Sequence, residues 1–183
     1  MLVRTETAFD ECEHFLSEAS AEGTPIESYL VQYLLACLCA EIQENLRRIA
    51  VDHFKRNGDV KLGQFAESVS NSHLIRGVKI TNIAGFLGNF GSDVKEAFHS
   101  GLKDREITLY GNVVDARDKV AHGAGATITM KEFRDSLPIG LKVIEQFRLA
   151  LDYEVDSGGS DDGRKGRIGP AWARQIGKWL KKS

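Results

Sequence analysis

The sequence predicts an all-α fold, a helical bundle of about five to six helices, and three observations carry that expectation. Apolar residues recur at three- and four-residue spacing over most of the chain, runs of alternating polarity are nearly absent, and only three prolines interrupt 183 residues. The apolar share of 42% and charged share of 27% are those of an ordinary globular protein. That length builds one core with a tail more readily than two cores.

The elements follow in order. A first helix is expected over about 7–21, with Phe9, Cys12, Phe15, Leu16 and Ala19 along one stripe and Gly23 ending it. Thr24, Pro25 and Glu27 then read as N-cap, first helical residue and capping-box partner of a long second helix. It runs to about Arg56, stops at Asn57-Gly58, and carries an apolar face of Tyr29, Tyr33, Leu34, Cys37, Leu38, Ile42, Leu46 and Ile49. Asp59 caps a third helix to about His73, with Val60, Leu62, Phe65, Ala66 and Val69 inward. Ile80–Leu87 reads as helix, Gly88-Asn89-Phe90-Gly91 as a turn, and Ser92 as the cap of a short helix to about Leu102. A further helix covers about 105–121 and is ended by His122-Gly123. Thr129 and Glu132 open a last long helix to about Tyr153, where Pro138 marks a kink or the true start. The stretch 126–130 is expected as loop.

Charge divides the chain. Asp156–Ser183 holds three acidic and seven basic residues, a tail of +4 on a body of −6. Residues 156–169, rich in Gly, Ser and Asp, read as a flexible linker. Residues 170–183 read as a short basic amphipathic helix with Trp172, Ile176, Trp179 and Leu180 on one side. Packing of that helix on the body is the first expectation, since two exposed Trp are costly in water; contact with a phosphate backbone or a partner is the other. No signal peptide or membrane span is apparent, and the three cysteines read as reduced, buried thiols, so a cytoplasmic protein without membrane contact is expected. No Cys/His pair has zinc spacing. The stretch Gly85–Gly91 lacks the Lys-Ser/Thr ending of a phosphate loop, so neither metal nor cofactor is expected.

One segment carries chemistry: Ala116-Arg117-Asp118-Lys119-Val120-Ala121-His122-Gly123. Arg and His suffice for metal-independent cleavage of RNA, in which the ribose 2′-hydroxyl attacks the adjacent phosphate. An imidazole titrating near neutrality moves the protons. A forked guanidinium holds the charge that grows on the phosphate. On an unbroken helix, residues five apart differ by roughly 140°, so the pair converges only if the helix ends at Ala121 and His122 turns back. Gly123 suits that ending, and Asp118, one turn before His122, is placed to hold its ring. Spacing alone decides little, because Arg48…His53 meets it too.

The segment A-R-D-K-V-A-H-G, followed by a short turn and the T-x-x-E start of a long helix, resembles the HEPN superfamily, and most of all its RiboL-PSP-HEPN branch. Ala40-Glu41-Ile42-Gln43-Glu44 on the long helix and the Phe86–Gly91 turn are similar to further elements of that branch. The resemblance spans about 5–153 and makes 1–155 a HEPN-like domain. It implies a homodimer in which two Arg…His motifs face one cleft, and metal-independent endoribonuclease activity in toxin–antitoxin, antiphage or RNA-processing settings. It casts Arg117 as the phosphate-stabilising residue, His122 as acid/base, Asp118 as the supporting polar residue and Glu41 as a residue orienting Arg117. RNA and a second copy are the partners implied, with an antitoxin or other protein as a further one. Where HEPN toxins modified by a nucleotidyltransferase carry a Tyr two residues after the His, this chain has Ala124. The alternative is a non-catalytic HEPN-like adaptor that binds RNA or protein; a stand-alone helical interaction module is the third reading.

Overall fold

The computed structural model describes residues 1–56, 60–69, 75–123, 125 and 127–152. Among them are seven α-helices and no strand: α1 (Val3–Ala19), α2 (Pro25–Arg56), α3 (Val60–Val69), α4 (Ile80–Leu87), α5 (Ser92–Ser100), α6 (Asp104–Ala121) and α7 (Met130–Leu151). Seven exceeds the five to six expected of the bundle as a whole, although α4 and α5, on either side of a 3₁₀ turn at Gly88–Phe90, are the two short helices that the sequence already set apart. The expected linker and tail helix lie outside the described residues.

The long α2 is the axis of the bundle, with α1, α3, α6 and α7 packed around it. Its buried side is Val31, Leu34, Leu35, Leu38, Ile42, Leu46 and Ala50. This side is narrower than the apolar face expected from the sequence. Tyr29 is 67% and Tyr33 55% exposed, because both sit on the edge opposite Leu38 and Ile42. Phe15 (49% exposed) and Phe65 (62%) also face outward rather than inward; α1 buries Thr5, Ala8, Phe9, Cys12 and Leu16, and Ala66 of α3 is buried.

α7 runs parallel to α2. Met130 N–H donates to Glu27 at one end (3.4 Å), and Arg56 reaches Asp152 at the other (3.5 Å). The two helices come close at Gly140, where an added Cβ would lie 3.2 Å from Ile42 and 3.3 Å from Leu2. α7 passes through Pro138 without a break, so the proline does not mark the helix start. α6 is antiparallel to α7: Glu106 in its first turn meets Lys142 at 2.6 Å, and its far end leads into the connection to Met130.

Local chemistry sets the ends. At α7 the Thr129–Glu132 capping box is made as expected. At α2 the box is not: Glu27 accepts from Gly23 N–H (2.6 Å), and the Thr24 hydroxyl donates to the Ala21 carbonyl. The N-cap of α5 is Gly91, at φ +138°, and Ser92 is its first helical residue. α1 begins at Val3, earlier than its stripe suggested, and its N-cap Leu2 has no side-chain acceptor. The cap comes from α2, as the site shows.

Candidate functional site

Helix α6 places the sequence-predicted residues. Its last turn closes at Ala121, and His122 leaves the helix at φ −99°, ψ 16° with its N–H shared between the Asp118 (3.2 Å) and Lys119 (3.1 Å) carbonyls. Gly123 follows at φ +84°, a left-handed conformation in which a Cβ is strained, and its N–H bonds to the Val120 carbonyl at 3.0 Å. This is the termination that the sequence required if His122 is to turn back. Arg117 and His122 are both exposed. Among the described residues the His122 imidazole has neither hydrogen bond nor ion pair. Two hollows on the described surface, one lined by Asp52, Arg56 and Arg148 and one by Arg4, Glu44 and Arg48, include neither residue.

Asp118 does not hold His122. Its carboxylate is engaged by Lys79 Nζ at 3.1 Å and by Arg117 at 3.3 Å. The Lys79 hydrogen bond, with Arg117 beside it, outweighs partial burial and holds the Asp118 carboxyl below its ordinary range. Arg117 spends one N–H of its fork on Asp118, leaving donors for an anion.

Lys79 was not foreseen. It stands before α4 and also meets Asp115 at 3.0 Å, so its ammonium bridges two carboxylates one turn apart on α6. Its position is built from the core outward. Tyr110 of α6 is buried and donates its hydroxyl to the Val78 carbonyl (2.8 Å), while Gln43 of α2 donates to the Ile75 carbonyl (2.8 Å). The segment 75–79 is thereby latched at both ends. Burial pushes the Tyr110 phenol up, so it remains a neutral donor.

Glu41 stands elsewhere. It is only 6% exposed and accepts from Thr5 N–H (2.8 Å), Thr5 Oγ1 (2.7 Å) and Arg4 N–H (3.2 Å). It thus supplies the missing cap of α1, whose first N–H groups have no partner within the helix. Burial raises its pKa, but the Thr5 and Arg4 hydrogen bonds win and the carboxyl is held low. It does not orient Arg117. The α2 residue that feels the charges of Arg117 and Asp118 is Cys39, roughly 200° around the helix from Glu41. Burial pushes the Cys39 thiol up to about 12. The Arg48…His53 pair diverges: Arg48 bonds Asn45 Oδ1 (2.7 Å), and His53 faces Asp152 (3.6 Å).

Among the described residues no group of three or more His, Cys, Asp or Glu side chains is placed to hold a metal ion. No helix among them is long and apolar enough to cross a membrane. Compared with known proteins, the chain matches no family model, no curated protein and no solved structure.

Proposed function

We propose that this chain is a metal-independent endoribonuclease of the HEPN kind, acting as a homodimer. The observation that carries the reading is the end of α6. An exposed Arg117 and an exposed His122, which has no partner among the described residues, sit five residues apart across a helix termination that Gly123 makes. Arg117 binds the phosphate and stabilises the charge that develops on it. His122 takes the 2′-hydroxyl proton or gives one to the leaving 5′-oxygen. One imidazole serves one of those oxygens at a time, which is a chemical reason for two chains to share a cleft. Asp118 and Lys79 act through Arg117 as positioning residues, fixing one edge of its fork.

The non-catalytic reading draws on the same pairing, since an Arg partly neutralised by Asp118 also suits simple anion binding. Incubation with RNA in excess chelator separates them. The wild type is expected to cut, and Arg117→Ala and His122→Ala to lose at least about a hundredfold in rate, as loss of an acid/base or an oxyanion contact does. Cutting that persists in both variants, or that disappears with chelator, overturns the proposal. A strictly monomeric chain overturns the dimer.

A further inference from the structure

One face of the bundle is apolar, exposed and rimmed with negative charge. On α2, Ile26, Tyr29 and Tyr33 point outward, and the exposed Ala36 and Ala40 continue the stripe at three- and four-residue spacing. Phe15 of α1, the helix that packs on α2 here, is exposed as well. Glu11, which acts electrostatically on Tyr33 across the helix pair, lies with Phe15 and Glu18 at positions i, i+4 and i+7 of α1. Between Glu6 and Glu22 there are six carboxylates and no Lys or Arg. Of these, Glu6, Asp10, Glu11, Glu18 and Glu22 have no Lys or Arg partner among the described residues; Glu13 pairs with Arg134, and Glu18 meets only His14.

The chain itself carries a complement to this face. Pro170–Lys182 has Trp172, Ile176, Trp179 and Leu180 at helical spacing, with Arg174, Lys178, Lys181 and Lys182 between and after them. Reach permits the match. α7 ends with Asp152 beside His53 and Arg56 of α2, about 30 Å along α2 from Tyr33 at 1.5 Å per residue. The seventeen residues 153–169 span about 56 Å when extended and about 23 Å as a Gly/Ser-rich coil.

We propose that Pro170–Lys182 docks in cis on the α1–α2 face, its apolar side on Phe15, Ile26, Tyr29 and Tyr33 and its cations against the α1 carboxylates. Docking removes two Trp side chains and an aromatic stripe from water together, and it spends the tail's positive charge on the acidic body. The inference goes beyond the ribonuclease reading, and its readout needs no RNA.

Trp172 and Trp179 are the only two Trp in the chain, so intrinsic Trp emission reports on this segment alone. In the full-length protein the emission is expected to be blue-shifted relative to the denatured chain and unchanged by hundredfold dilution. Tyr29→Lys with Tyr33→Lys, at positions already exposed, should move it to the denatured value while far-UV circular dichroism stays constant. Glu11→Lys with Glu18→Lys should move it in the same direction. Wild-type emission already at the denatured value overturns the proposal. So does a blue shift that both double variants retain, or one lost on dilution, which would put a second copy on the face instead.

Discussion

Replacing Glu41 with Ala separates a structural carboxylate from a catalytic one. Three donors lose their acceptor: Thr5 N–H, Thr5 Oγ1 and Arg4 N–H. Thr5 is fully buried, so its two donors cannot turn to water. Each unsatisfied buried donor costs about 1–3 kcal/mol, and a hydrogen bond to a charged group is worth about 1.5–3 kcal/mol. Allowing for relaxation of the Thr5 rotamer, Glu41→Ala should cost about 3 kcal/mol at neutral pH. For a domain of this size that lowers Tm by about 6–12 °C. Urea unfolding of both proteins measures it. The pH dependence has a fixed sign. The folded-state pKa of Glu41 is held low, so its contribution is complete above the ordinary Glu value of about 4.3 and is lost as pH falls through the lower folded value. The gap between wild type and Glu41→Gln should therefore be constant from pH 7 to 5 and narrow below about pH 4. A loss under about 0.5 kcal/mol would refute the cap, being no more than a surface substitution costs. So would a tenfold fall in RNA cleavage at unchanged stability, which would return Glu41 to Arg117.

Three further changes test the frame of the site. Tyr110→Phe leaves the Val78 carbonyl without its buried donor and should cost about 1–2 kcal/mol in denaturant unfolding, with faster amide exchange confined to 75–79. Gly123→Ala meets no neighbouring atom but takes a side chain to φ +84°, so about 1–2 kcal/mol of strain is expected, read as a lower Tm with frayed amides at the end of α6. Lys79→Ala frees Asp118 to neutralise Arg117 more fully, and RNA binding should weaken several-fold at low salt with little change in Tm.

The helices were legible wherever a period and a stop signal coincided. Ile80–Leu87 is helical over the expected span, and α6 ends at the His-Gly pair because a left-handed residue is needed there and glycine supplies it. Orientation was less legible. α2 carries apolar residues over most of its circumference, and nothing local distinguishes Tyr33 from Leu34; packing of α7 at Gly140 decides which edge is covered. The site divides the same way. Arg117 and His122 are neighbours in sequence, so their placement at one helix end followed from local rules. Lys79 reaches Asp118 from 39 positions away, through the Tyr110–Val78 latch, and no spacing signals it. Asp118 was one turn from His122, yet a full-time cation and an adjacent guanidinium hold a carboxylate better than an imidazole does. Glu41 lies close in sequence to Cys39, which faces α6, but it points across to α1 because α-helical geometry sends residues two apart in opposite directions.

The chemistry of the product ends tests most directly the proposal that Arg117 and His122 drive attack by a ribose 2′-hydroxyl. RNA cut by the wild-type chain in excess chelator should carry 2′,3′-cyclic phosphate and 5′-hydroxyl ends, and a single 2′-deoxy sugar at the cut position should block the reaction. Products ending in 3′-hydroxyl and 5′-phosphate, or cleavage that proceeds at the deoxy position, would contradict it.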